Sequence, residues 1–282
     1  MTVIENENKQ KKERLIFFDI LRICAILLVV SQHILGMNTP AIKIPGYETI
    51  PIGKIGVIIF VFISGALLYL TSEKMTFTIN NIHIFYYKRF SRLYPAMWIS
   101  FLIAIMFQPD ILQFQTLKYW LVQLSGTMVY FLDFNSPNIS PYMINPLTYF
   151  ISLIVGLYIM YPIIHNAIKK YPYYTVFGAV AISIMSTSFY HITIYSGNPL
   201  AYLMYFVLGV CVSHFGTYPR NMISHENVIV FFSDLSFYIF LTHVFILKFW
   251  QINPILFVVQ AILISYMLML VDGNIQDILR YR

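Results

Sequence analysis

The chain has 282 residues, of which 59% are hydrophobic and 11% charged, with a mean hydropathy of +0.70 and a net charge of +6. Soluble domains carry roughly 25% charged residues, so this composition excludes a water-soluble globule: there is too little polar material to coat one. A basic excess in a soluble chain would point to nucleic acid. In a chain this apolar it is the ordinary bias of cytoplasmic loops, and no nucleic-acid partner is expected.

Apolar runs recur at residues 15–36, 52–71, 93–107, 146–164, 172–192, 199–216, 228–250 and 254–271. At hydrocarbon depth every backbone N–H and C=O must be satisfied within its own segment, so these runs are predicted helices. They are continuous rather than alternating, which argues against a β-barrel. The expected fold is an all-α polytopic transmembrane bundle of about eight spans (8–10). Residues 1–14 are polar, carry Lys9, Lys11, Lys12 and Arg14, and read as a cytoplasmic tail; residues 15–282 read as one membrane domain.

The first run contains Asp19, Arg22 and His33 and has no small-x-small cleavage site, so it reads as a retained span and not a signal peptide. Ionisable residues inside a span cost roughly 2.5–3.5 kcal/mol each on insertion scales, which makes each a functional candidate. Arg22 and His33 are eleven positions apart. At 100° per residue that is close to three full turns, so the two share a face, about 16 Å apart along the axis. Asp19 stands three residues before Arg22, a spacing that allows an ion pair. In the second run, FVFISGALL, Ser64 and Gly65 are small enough to admit a neighbouring helix or a bend.

The third run is preceded by KRFSRLYP. Arg89 and Arg92, at i and i+3 beside Lys88, present two guanidinium forks that suit a phosphate or diphosphate at the cytoplasmic surface. Tyr94 and Pro95 read as the opening of the helix that follows. The stretch 117–133 is apolar but holds Lys118, Gln123, Ser125, Gly126 and Asp133; crossing, re-entry and an interfacial position all fit it. Charge bias separates them. If the stretch does not cross, the N-terminal tail, the 72–92 loop, Lys169, Lys170, Arg220, Arg280 and Arg282 all face the cytoplasm, which is 13 of the 18 Lys and Arg. An even number of spans with both termini cytoplasmic is therefore expected.

Near the C-terminal end, His243 sits well inside the run LSFYIFLTHVFIL, and Asp234 and Ser236 precede it at a candidate helix break. His83, His165, His191, His214 and His225 fall in or beside predicted loops and receive no role. Cys24 and Cys211 lie in apolar runs and read as small buried residues, with neither disulfide nor metal spacing.

Taken in order, these segments resemble the acyltransferase-3 family of multi-spanning membrane O-acyltransferases. FFDILRICAILLVVSQH is similar to the family's opening segment, in which an arginine and a histidine are separated by ten residues, as Arg22 and His33 are. IGVIIFVFISGALLY resembles the G-V-x-x-F-F-x-x-S-G-F stretch through Gly56, Val57, Phe60, Ser64 and Gly65. YKRFSRLYPAMW resembles R-x-x-R-(L/I)-x-P through Arg89, Arg92 and Pro95. NPLTYFISLIVGLYIMYPII resembles the W-F-(L/I)-x-x-L-x-x-x-Y-x-x-x-P span, with Tyr149 in place of tryptophan, and LSFYIFLTHVFIL resembles S-Y-x-x-Y-L-x-H.

The resemblance implies transfer of an acyl group, often acetyl or succinyl, from cytoplasmic acyl-CoA to a hydroxyl of a cell-surface or lipid-linked glycan. It implies His33 and Arg22 as the essential pair and Arg89 and Arg92 as donor-binding arginines; Asp19, Ser64 and His243 are read from their positions as supporting residues. Acyl-CoA, acetyl-CoA in the first instance, is then a donor substrate, with no bound cofactor and no metal. Membrane lipids, the donor and a hydroxyl acceptor are the expected partners, and the cell membrane the location. His33 would take the acceptor's proton, since an unperturbed imidazole, pKa about 6.5, is mostly neutral and basic at pH 7. The alternative is a transporter that moves a glycan or small solute without making a bond, which intramembrane Arg and His also serve. A structural or signalling subunit is a third reading, but it needs no buried Arg and His.

Overall fold

The fold was established from a computed structural model, which describes residues 15–36, 41–42, 50–131, 143–189, 197–219, 227–247 and 253–280. The tail at 1–14, and with it Lys9, Lys11, Lys12 and Arg14, lies outside these residues, as do His191, Arg220, His225 and Arg282.

The long helices are α1 (Ile16–Leu35), α2 (Ile52–Ser72) and α3 (Ile79–Phe107), with a two-residue antiparallel pairing, β1 (Ala41–Ile42) with β2 (Ile50–Pro51), between the first two. A 3₁₀ turn at Pro109–Phe114 and two short helices follow, α4 (Leu117–Leu124) and α5 (Met128–Phe131). Then come α6 (Tyr149–Lys170), α7 (Pro172–Phe189), α8 (Pro199–Phe215), α9 (Asn227–Ile246) and α10 (Pro254–Arg280). Among the described residues six segments are long and apolar enough to cross a membrane: those of α1, α2, α3, α6, α9 and α10. The chain is thus a multi-pass integral membrane protein built as an all-α bundle. Leu102, Met106, Ile163, Phe177 and Met267 are exposed on its outside, as a lipid-facing surface requires.

The stretch around 117–133 forms no span among its described residues. At 1.5 Å per residue the eight residues of α4 cover about 12 Å of a hydrocarbon core about 30 Å thick. Gln123 fastens this region to the bundle: its Oε1 accepts from the Ile144 backbone N–H at 2.6 Å, and its Nε2 donates to the Tyr119 carbonyl at 3.1 Å.

The start of α3 differs from the sequence expectation. Thr78 and Asn81 form a reciprocal capping box at its first turn, so the helix begins well before Pro95 and runs through it. Pro95 removes one N–H donor inside the helix and does not open it. Arg89 and Arg92 therefore project from the middle of a rigid helix. The helix break expected near Asp234 and Ser236 is likewise absent, since both lie inside the continuous α9.

Close packing holds the first helices together. A Cβ on Gly65 of α2 would lie 2.2 Å from the Phe206 carbonyl oxygen of α8, and one on Gly209 of α8 would lie 2.0 Å from the Phe62 carbonyl oxygen of α2. Each glycine thus receives the other helix's backbone, the close approach that small residues permit. Gly56 does the same against Ala25 of α1, and the Gly53 N–H donates to Gln32 Oε1 at 2.6 Å. Asn145, fully buried before α6, donates to Ser100 Oγ of α3 and to the Leu241 carbonyl of α9, both at 3.0 Å, and joins three helices with one amide.

Two contacts show that α1 and α9 run parallel: Asp19 meets Ser233 near their first turns, and His33 meets His243 near their last. In contrast, α3 and α10 run antiparallel, with the Tyr87 hydroxyl donating to the Leu279 carbonyl at 3.3 Å.

Candidate functional site

The six candidate spans enclose a cavity of about 510 Å³, and every one of them contributes to its wall. On α2 the lining residues Phe60, Ser64, Leu67 and Thr71 fall at helical spacing on one stripe. That stripe covers eleven positions, about 16 Å of rise. Phe150, Ile154 and Tyr158 make the matching stripe on α6.

One end of the cavity is cationic. Arg22 from α1 and Arg89 and Arg92 from α3 all line it. Arg89 Nη2 donates to Thr71 Oγ1 at 2.6 Å, and its guanidinium lies 5.8 Å from the centroid of the Phe85 ring. Arg92 makes no hydrogen bond or ion pair among the described residues. Lys88, the third cation of the same sequence cluster, is exposed and does not line the cavity.

Arg22 is held by a small network. Asp19, buried at 3% exposure, accepts from Ser233 Oγ at 2.6 Å and lies 3.5 Å from Arg22 Nη1, which also donates to Ser233 Oγ at 3.3 Å. Asp19 thus orients the guanidinium through one direct contact and one through the serine. Ser233 comes from a helix more than two hundred residues downstream, and nothing near Asp19 in the sequence points to it.

A second polar group flanks the same end. Asp272 of α10 is fully buried and accepts on Oδ2 from the Tyr238 hydroxyl at 2.7 Å and from Gln276 Nε2 at 2.6 Å. Tyr238, Gln276 and Asp234 line the cavity. Sequence reasoning gave no role to Tyr238, Asp272 or Gln276. The one available signal was an acid and an amide at i and i+4 in an apolar run, and it points to no partner.

The opposite end is apolar. The rings of Phe60, Phe150 and Phe240 meet there with centroids 4.9–6.0 Å apart. His243 lies one helical turn past Phe240, its ring 6.3 Å from that ring.

Beyond the three rings is the histidine pair. His243 is fully buried, and its Nδ1 lies 2.9 Å from the Ile239 carbonyl and 3.1 Å from that of Phe240. A carbonyl only accepts, so Nδ1 carries the proton and Nε2 the lone pair. His33 Nδ1 stands 2.9 Å from the Val29 carbonyl and 3.3 Å from His243 Nε2, so it too is the protonated nitrogen and donates to both. His33 Nε2 is left with the lone pair, and the residue is exposed, near the end of α1.

Arg22 and His33 both turn toward α9, as residues on one face must. The structure does not bring them together: Arg22 lines the cavity, and His33 lies past its aromatic end. Ser64 lines the cavity, while its neighbour Gly65 serves the packing against α8.

Several background residues also differ from expectation. His165 is fully buried inside α6 with its ring 4.9 Å from that of Phe77, and not in a loop, whereas His214 does stand beside one, at the end of α8, with its Nδ1 2.7 Å from the Tyr69 hydroxyl. Cys24 is exposed and not buried, Cys211 is half-buried, and both cysteines are free. Among the described residues no group of His, Cys, Asp and Glu could hold a metal ion.

No curated protein and no solved structure matches the chain. The sequence does match the acyltransferase-3 family, described as "Acyltransferase domain", over residues 15–280. With that match spanning nearly its whole length, the chain belongs to the acyltransferase-3 family and is a membrane acyltransferase.

Proposed function

We propose that the protein transfers a short acyl group, acetyl in the first instance, from acyl-CoA to a hydroxyl of a sugar or lipid-linked glycan. The observation that carries this reading is the polarity of the cavity: arginines at one end, aromatic rings at the other, and a histidine pair just beyond the rings. Acyl-CoA has the same polarity, with phosphates at one end and an acyl thioester at the other.

In this reading Arg89 and Arg92 bind the donor's diphosphate through charge-assisted hydrogen bonds. Arg22, fixed by Asp19 and Ser233, lines the path of the pantetheine arm, with Ser64 on the facing wall. The thioester carbonyl reaches the aromatic end, and the acceptor hydroxyl approaches His33 from the exposed side. His33 Nε2 takes the hydroxyl proton as the oxygen attacks the carbonyl carbon. A C–O bond forms, the C–S bond breaks, and the imidazolium returns the proton to the departing thiolate, giving an ester and free coenzyme A. His243 touches no reacting atom; it positions His33 by accepting from its Nδ1–H.

The membrane topology that accompanies this reading has eight spans, the six long helices together with α7 and the 17-residue α8, and both termini cytoplasmic. The arginine end of the cavity then faces the compartment that supplies acyl-CoA, and His33 lies toward the opposite side.

Radiolabelled acetyl-CoA given to the purified protein in nanodiscs with a mixture of free and lipid-linked sugars tests the reading. Label in a base-labile ester is the expected result. Solute flux in proteoliposomes with no covalent product would establish the transporter instead.

A further inference from the structure

We propose that Phe60, Phe150 and Phe240 set the length of the acyl chain that the enzyme accepts. The inference rests on the donor reading above and adds the device that selects the donor's acyl group.

Charge fixes the direction in which a donor can lie. Its phosphates belong with Arg89 and Arg92, so its acyl end points toward the only apolar end the cavity has among the described residues. That end is a wall of three phenyl rings from three different helices, α2, α6 and α9. The contacts are 6.0 Å for Phe60 with Phe150, 6.0 Å for Phe60 with Phe240, and 4.9 Å for Phe150 with Phe240. All three side chains are buried, with Phe240 at 1% exposure, and each ring is braced by the other two.

The wall also stands where the chemistry must happen. Phe240 lies one turn before His243, whose ring is 4.9 Å from that of His33. In the donor reading, a thioester carried to this end of the cavity has its acyl carbons against these rings, next to the histidine pair. An acetyl methyl fits against a phenyl face. A longer chain has to displace rings that brace one another, and the interior of a packed bundle resists that.

The test is a chain-length series of binding measurements in nanodiscs, by calorimetry, with coenzyme A, acetyl-CoA, butyryl-CoA and hexanoyl-CoA. Each extra methylene in a fitted apolar pocket changes selectivity by about tenfold or more. In the wild type, affinity should fall from acetyl- to hexanoyl-CoA. In Phe240→Ala, and to a smaller degree in the volume-sparing Phe240→Leu and Phe150→Leu, that order should flatten or reverse. Affinity for coenzyme A itself, which has no acyl group, should stay unchanged; this also shows that each variant is folded with its arginine end intact. Wild type that binds no coenzyme A overturns the donor reading and this inference with it. Binding of coenzyme A with one chain-length order in all folded variants overturns the aromatic wall alone.

Discussion

His33 Nδ1 and His243 Nε2 stand 3.3 Å apart on two parallel helices, and the backbone carbonyls behind each ring fix both tautomers. A chain of donors runs from His33 to His243 to the α9 backbone, and the one nitrogen it leaves basic is His33 Nε2. Removing that nitrogen by His33→Ala should lower acyl transfer by about 10²–10⁴-fold, the usual contribution of a positioned general base, while coenzyme A binds as before. Steady-state transfer and calorimetric titration check the two halves separately; undiminished turnover would remove His33 as the base.

In the proposed mechanism His243 acts only through His33. His243→Ala should lower kcat and leave the donor KM unchanged, because no atom of His243 lines the donor cavity. His243→Gln restores an acceptor near His33 Nδ1 and should recover part of the loss. A variant that lost donor affinity and turnover together would point to a packing defect, since His243 is fully buried against Phe240.

At the other end of the cavity, Arg89 and Arg92 should govern donor affinity. Hydrogen bonds to charged groups are each worth about 1.5–3 kcal/mol, so Arg89→Ala with Arg92→Ala should raise the donor Kd by about 10²-fold or more. Arg89→Lys should recover little of the loss, since a lysine cannot reproduce the planar fork that now reaches Thr71 Oγ1. An unaltered donor affinity in the double variant would leave these arginines as anchors to lipid headgroups.

Much of this site could be read from single segments, because helical periodicity is local. Arg22 and His33 on one face, Ser64 beside a packing glycine, and Arg89 with Arg92 at i and i+3 all follow from spacing alone. What could not be read is what faces them. Ser233 completes the Arg22 network, and three phenylalanines from three helices make one wall, yet in the sequence each is ordinary apolar text or a lone hydroxyl. Pro95 misled because a proline usually marks a first turn, whereas here the capping box at Thr78 and Asn81 starts the helix earlier and packing carries it through. The region 108–145 is ambiguous for a related reason: the apolar residues at 108–131, within its described part, serve short helices, which Gln123 ties to the bundle.

The reciprocal glycine contact between α2 and α8 supplies a prediction about stability that is independent of chemistry. Gly209→Ala would place a methyl carbon 2.0 Å from the Phe62 carbonyl oxygen and 3.0 Å from the Ala66 backbone nitrogen. Backbone cannot swing aside as a side chain can, so the two helices must separate. Overpacking of this kind costs about 1–3 kcal/mol, and thermal unfolding in detergent should show a lowered Tm. Gly178→Ala is the internal control, since a Cβ there meets nothing within 4 Å. On helix propensity alone that change favours the fold by about 0.8–1 kcal/mol, so equal melting losses in the two variants would show that backbone contact at Gly209 does not set the spacing of α2 and α8. Ser64 shares its turn of α2 with Gly65 and lines the cavity, so an altered spacing there should also weaken coenzyme A binding in Gly209→Ala and leave it intact in Gly178→Ala.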